Sequence, residues 1–231
     1  MAPDVSNDLI EGLPRRDRTR LRAACEPVEL VLAAPVCVRG TAAGHAYFPT
    51  RAFISLLARV DQHPGIEVGM VGSEGMLGAE ILLGIGHSPF DAVVQGQGEA
   101  LRIDARRFRT ELECSLPLRR TLSRYLHVRM LQLARASGCH RFHAVAPRLA
   151  RWLLMSQDRA HGNRFEMTHE FLASMLGVRR SGVTLAAGVL QRGGLIRYTR
   201  GELTVLDRQG METAACSCYA ADQLTYAEGF A

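Results

Sequence analysis

Residues 167–198 read MTHEFLASMLGVRRSGVTLAAGVLQRGGLIRY, and this segment restricts the fold more than any other. Thr168 is a natural N-cap, and Leu172, Ala173 and Leu176 give the helix that follows one apolar face. Ala173 is small enough to let a second helix cross closely. Gly177 supplies the left-handed residue needed by a tight turn between two crossed helices. In the second helix Val183, Ala186, Ala187 and Leu190 fall at i, i+3, i+4 and i+7, an inward stripe. Opposite it, at about 100° per residue, lie Ser181, Leu185, Gly188 and Arg192, with Arg179, Arg180 and Thr184 flanking. Leu195–Tyr198, a turn at Thr199-Arg200-Gly201 and Leu203–Leu206 complete a hairpin, with Arg197 and Arg200 near its tip. The pattern predicts a winged helix-turn-helix.

Charge points the same way. The 231 residues carry 28 basic side chains, all arginine, against 23 acidic ones, for a net charge of +5. Residues 139–210 hold eleven Arg and five acids, a net of +6. Residues 1–138 come to only +2, and residues 211–231 to −3. The positive charge therefore sits on the module expected to meet phosphates, which makes double-stranded DNA the expected partner. The lack of lysine removes Walker phosphate loops, Schiff-base lysines and kinase lysines from consideration.

Upstream, Asn7–Cys25 reads as short amphipathic helices broken at Gly12-Leu13-Pro14. The first 24 residues have no apolar core of a signal peptide, and no membrane-length apolar run follows, so a cytoplasmic protein is expected. From Val28 to Ile103, β-rich runs (Val28–Leu32, Phe53–Ala58, Ile66–Val71, Ala92–Gln95, Ala100–Ile103) alternate with Gly and Pro turns. Glycine recurs at 69, 72, 75 and 78, a spacing suited to a tight β corner. This region predicts an antiparallel roll. Ser115-Leu-Pro117 then opens a helix with Leu118, Leu122, Leu126, Met130 and Leu133 along one stripe, ending where Gly138 stops it. Its stripe is expected to pair with a second copy at a dimer interface. Pro147–Met155 forms another helix, with Trp152 and Leu153 in the core.

The order of helical start, β-roll, long helix and winged helix-turn-helix resembles the Crp/Fnr superfamily of bacterial transcription regulators. The local matches are Glu67-Val-Gly-Met-Val-Gly72, the Thr168…Gly177…Arg180…Val183 spacing, and Gly194-Leu-Ile196. The resemblance implies an α+β chain: a double-stranded β-helix type of roll over 1–114, a dimerisation helix over 115–138, the winged helix-turn-helix over 139–212, and a C-terminal tail over 213–231. It also implies a homodimer that binds a palindromic operator and works with RNA polymerase. Base readout would fall on Arg180, Ser181 and Leu185, within a DNA-binding set completed by Thr168, Arg179, Thr184, Arg197 and Arg200. Better-known members commonly carry glutamate at the Ser181 position and arginine at the Leu185 position. Leucine can touch a thymine methyl but cannot donate to guanine, so a different operator is expected.

Members that bind cyclic nucleotides hold the phosphate with a Gly-Glu-Leu-type turn and a later arginine. This chain offers Gly78-Ala-Glu80-Ile and His87-Ser88-Pro89, without the arginine. Residues 60–101 contain no Arg but six acids, which disfavours a cyclic nucleotide. The candidate effector pocket is Gly78, Glu80, His87 and Ser88, with Arg124 as a rescuing cation. No cofactor and no metal site is assigned. Cys25 and Cys37 cannot supply a four-cysteine cluster, and a haem through His45, His63 or His87 is set aside in favour of ordinary histidines. Cys216 and Cys218, with Cys139 or His140, could bind metal or respond to oxidants, and are read as ordinary thiols. An enzyme is not expected. A cupin-type metal site would want clustered histidines, and no Gly-x-Ser-x-Gly elbow is present. The alternative to a signal-sensing regulator is a DNA-binding protein that needs no effector, with the roll as a scaffold or docking domain.

Overall fold

The β-rich runs pair antiparallel. In the computed structural model the described residues are 6–63, 65–160 and 162–230. Two short helices, α1 (Asp8–Glu11) and α2 (Arg15–Ala24), precede strands β1 (Glu26–Leu30), β2 (Pro35–Cys37), β3 (His45–Pro49), β4 (Phe53–Ala58), β5 (Ile66–Val71), β6 (Asp91–Gly96) and β7 (Gly98–Asp104). A 3-10 turn, Ala79–Leu83, interrupts the series. One sheet has the order β1-β7-β3 and the other β2-β6-β4-β5. Phe48 faces Leu101 across the first, and Ile54 faces Val94 across the second. The expected roll is thus present, with β2 and β3 in addition. Those two strands are short and Gly- or Pro-flanked, so they give no periodic signal.

Helices α3 (Ala105–Cys114) and α4 (Leu116–Phe142) follow. Asp104 caps α3, accepting from the Arg106 amide at 2.8 Å. Ser115 lies at the junction, and its Oγ accepts from the Leu118 amide at 3.1 Å. Leu118, Leu122, Tyr125 and Val128 of α4 are buried, in one core with Phe48, Ile103 and Phe108 for the first three. Phe48 and Phe108 meet edge to face at 5.9 Å. The glycine run explains how α4 approaches. A Cβ on Gly75 would lie 2.6 Å from the Tyr125 hydroxyl oxygen, and one on Gly69 would overlap the Arg129 guanidinium. Tyr125 then donates to the Met76 carbonyl at 3.0 Å, and Arg129 to that of Met70 at 3.1 Å. The repeat serves close approach of helix to sheet as well as the corner.

Gly138 does not stop α4, which continues to Phe142. Glycine inside a helix costs about 1 kcal/mol relative to alanine, and burial of Ala136 and Cys139 on either side offsets that. Of the expected stripe, Leu118 and Leu122 are buried in the chain, whereas Met130 is exposed.

The chain divides into two compact units: one comprises the chain up to Leu57, Gly69–Met130 and Gly229 onward, and the other Ala58–Val68 and Leu131–Glu228. The second unit contains α5 (Val145–Ala160), β8 (Arg164–Glu166), α6 (His169–Leu176), α7 (Arg180–Arg192), β9 (Ile196–Thr199), β10 (Glu202–Val205), α8 (Arg208–Ala214) and most of α9 (Cys218–Phe230). Trp152 and Leu153 are core residues there, with Leu172, Val183, Leu190 and Leu203. The segment 213–231, expected only as a tail, is largely helical and buries Cys216, Cys218 and Tyr219. No helix among the described residues is long and apolar enough to cross a membrane.

Candidate nucleic-acid interface

Helix α6 begins as the sequence dictates. Thr168 is extended, and its Oγ1 accepts from the Phe171 amide at 3.1 Å. The helix ends in a Schellman motif: the Gly177 amide donates to the Ser174 carbonyl at 3.1 Å and the Val178 amide to that of Ala173 at 3.0 Å. Gly177 has φ 62°, the left-handed residue on which the turn depends. Arg148, buried on α5, donates to the remaining Leu176 carbonyl. Three hydrogen bonds thus fasten the turn between the two helices.

Helix α7 buries Val183, Ala186, Ala187 and Leu190 and leaves its opposite face open. Arg179, Arg180, Ser181, Thr184 and Arg192 lie on that side, with Leu185 (73%) and Val189 (51%) well exposed among them. The N-cap, Arg179, makes no side-chain cap, so the first amides of α7 remain available at the positive end of the helix. Strands β8, β10 and β9 form a small sheet whose last hairpin is the wing. Thr199 faces Glu202, so its loop is Arg200-Gly201, with φ 52° and 85°, the type I′ pattern. Arg197 and Arg200 are exposed on this hairpin. Arg179, Arg180, Arg192, Arg197 and Arg200 form no ion pair among the described residues. Arg151 and Arg208, elsewhere in the unit, are paired with Asp222 and Asp158.

Three residues that the sequence did not single out brace this surface. The His169 ring stacks on Tyr198 at 4.4 Å, and its Nδ1 lies 3.0 Å from Thr184 Oγ1. Tyr198 donates its hydroxyl to the Met167 carbonyl at 3.0 Å, and its amide to Gln191 Oε1 at 2.9 Å. Wing and helices are thus held together by contacts between residues 7 to 31 positions apart, pairings that no period in the sequence encodes. Thr184 also donates to the Arg180 carbonyl at 3.1 Å, so its hydroxyl is occupied within the chain.

Burial, and secondarily the Arg180 charge, lowers the His169 pKa below its ordinary 6.5. Its share of stability is therefore complete above pH 6.5 and declines as pH falls, because the unfolded chain takes up the proton first. His169→Gln should flatten the fall of the thermal midpoint below that pH relative to wild type; parallel curves would show that His169 does not contribute to it.

In the roll, Gly78, Glu80 and Ser88 line a pocket of about 160 Å³ with Cys37, Thr41, His45 and Tyr47. His87 and Arg124 are not among its lining residues; Arg124 is exposed on α4. Ser88 is buried and donates to the Phe90 carbonyl at 2.9 Å, with Cys37 Sγ 3.2 Å from its Oγ. Burial raises both the Glu80 carboxyl and the Cys37 thiol.

A capped helix, a Schellman turn, a second helix with an open basic face and an arginine-tipped wing define a winged helix-turn-helix module of the DNA-binding type. Residues 147–214 match the family model of the Crp-like helix-turn-helix domain. The fold is shared with solved regulators of the Crp/Fnr type over more than four-fifths of the chain. It superposes on FixK2 from Bradyrhizobium japonicum with a TM-score of 0.69 at 11% identity, covering 84% of this chain and 98% of that one. The c-di-GMP-responsive global regulator CLP from Xanthomonas campestris gives 0.68 at 18% identity, covering 84% and 100%. TTHA1359, a CRP/FNR-family regulator from Thermus thermophilus, gives 0.65 at 18% identity, covering 82% and 98%. No curated protein matches the chain by sequence.

Proposed function

We propose that the protein acts as a homodimer on a palindromic operator, with α7 of each copy in the major groove. The observation that carries this reading is the open face of α7, where Arg180, Ser181 and Leu185 stand exposed opposite a fully buried stripe. Arg180 is at the start of the helix, where recognition helices meet base edges, and its guanidinium suits a bidentate contact to guanine O6 and N7. Leu185 suits a thymine methyl. Thr168, Arg179, Arg197 and Arg200 serve the phosphates, with the uncapped amides of α7. Dimerisation falls to α4, which exposes Leu116, Met130 and Leu131. Half-sites would then lie about one DNA turn, roughly 34–36 Å, apart, and the bound dimer would engage RNA polymerase.

The roll reads a signal other than a cyclic nucleotide. Its pocket is below the roughly 300 Å³ at which ligand clefts usually begin, and its lining holds a carboxyl group and no arginine. Calorimetric titration with cyclic AMP and cyclic GMP should give no heat of binding; micromolar affinity for either would overturn this point. Selection of bound DNA from a random pool tests the whole reading. A palindrome recovered only with cell extract supports a sensed signal, and one recovered without it supports a regulator needing no effector. Failure to enrich any sequence under either condition defeats the proposal.

The wing permits a separate test. Arg200 holds a left-handed backbone that costs an L-residue roughly 1–2 kcal/mol. Arg200→Gly should raise the stability of the second unit by about 1 kcal/mol while weakening DNA binding. A variant that binds DNA as tightly as wild type would remove the wing from the interface.

A further inference from the structure

We infer that Cys139, His143, Cys216 and Cys218 form a binding site for a single structural zinc ion. Cys139 lies in the last turn of α4 and His143 just past its end, and 216 and 218 occupy the junction between α8 and α9. The three sulfurs and one imidazole nitrogen all lie within 4.8 Å of one another, and the three cysteines are buried. Cys139 Sγ lies 3.6 Å from Cys216 Sγ, and Cys218 Sγ lies 3.6 Å from His143 Nδ1. Zinc bonds of about 2.3 Å to sulfur and about 2.0–2.1 Å to nitrogen place tetrahedral neighbours about 3.6–3.8 Å apart. Two edges of the tetrahedron are already at that length.

A mere cluster of small apolar thiols would not need its other members. His143 turns a ring nitrogen toward Cys218, and Arg151 donates to Cys139 Sγ at 3.7 Å. Arg151 is anchored by Asp222 at 2.7 Å, and Arg135 donates to the same carboxylate. Two arginines meet on one buried aspartate, and buried Arg148 interacts electrostatically with Cys139 and Cys216, so the surroundings of the sulfurs are net positive. Three thiolates, a neutral imidazole and a divalent ion sum to −1, which opposes that charge. With neutral thiols alone that positive charge would stay unopposed, a costly arrangement in a buried site. Soft thiolate ligands in a tetrahedral set suit zinc, and four protein donors leave no open position, so the role is structural. An iron–sulfur cluster spreads its thiolates over several irons and needs wider spacing. The ion would pin the last turns of α4 to the start of α9.

Full-length protein purified without chelator should carry one zinc per chain, and cobalt(II) substitution should give the intense visible bands of a tetrahedral thiolate site. A zinc chelator should release the ion, expose three further thiols to a thiol reagent and lower the thermal midpoint of the wild-type protein. Cys218→Ser and His143→Ala should each lose at least about 10-fold in zinc affinity, by analogy with the roughly 10–100-fold cost of outer-shell changes. Cys114→Ser, exposed and outside the cluster, should retain full stoichiometry. Because the chelator and cobalt measurements use the wild-type chain, a variant that fails to fold does not spare the proposal. Protein that binds neither zinc nor cobalt on reconstitution would overturn it. So would a Cys139–Cys216 disulfide recovered from the native protein, which would make the cluster a thiol pair.

Discussion

Gly177→Val should cost the second unit about 2–5 kcal/mol, the sum of two independent effects. The first is conformational: residue 177 sits at φ 62°, ψ 42°, where an L side chain costs about 1–2 kcal/mol and a branched one fares worst. The second is steric. A Cβ at this position would overlap Ile66 Cδ1, within the same unit, and overpacking of that kind costs about 1–3 kcal/mol. The two can be separated. Ile66→Ala in the Gly177→Val background should recover the steric share and leave the conformational one, and Gly177→Asn should show the reverse balance, since asparagine tolerates the left-handed region. Denaturant melts of the second unit measure each share. Because the Schellman turn sets the crossing of α6 and α7, DNA binding should fall with stability. An unchanged melting curve for Gly177→Val would show that the turn is not under the constraint its geometry implies.

Arg180→Ala should abolish preference for the operator while leaving residual binding to any duplex. A bidentate arginine–guanine contact is worth roughly 1–3 kcal/mol of discrimination, which corresponds to a factor of about 5–150 between operator and scrambled DNA. Arg200→Ala should act differently. It removes a phosphate partner, so affinity should drop on every sequence alike and the salt dependence should shallow by about one counterion. Competition binding at two salt concentrations distinguishes them. If both substitutions erase specificity equally, the division between base-reading helix and phosphate-binding wing is wrong.

The parts of this protein that can be read from the chain are those set by local rules. Thr168 as a cap, Gly177 as a left-handed residue and the Val183–Leu190 stripe are consequences of hydrogen bonding, sterics and a 3.6-residue period, and each is found as expected. Strands β4 and β5 match their expected bounds to the residue, because their apolar runs are bounded by turn residues. Strands β2, β3 and β8 have no such signal, since three to five residues cannot display a period. Gly138 misleads for a related reason. Its local preference is to end a helix, and burial of Cys139 beyond it outweighs about 1 kcal/mol of propensity.

Sequence by itself determined the winged helix-turn-helix, the roll, and the concentration of arginine on the DNA-binding module, because covalent order and short-range physics carry all three. Tertiary structure alone decided which distant groups meet. It stacked His169 on Tyr198, set Tyr125 and Arg129 over glycines, and left Arg124 out of the pocket lined by Gly78, Glu80 and Ser88. It also gathered Cys139, His143, Cys216 and Cys218 into one cluster, choosing His143 where the sequence suggests His140. His140 lies within α4 and His143 just past its end, so which of the two reaches the sulfurs depends on where the helix stops and how the chain leaves it. That path counts only once the C-terminal helices have brought Cys216 and Cys218 to it.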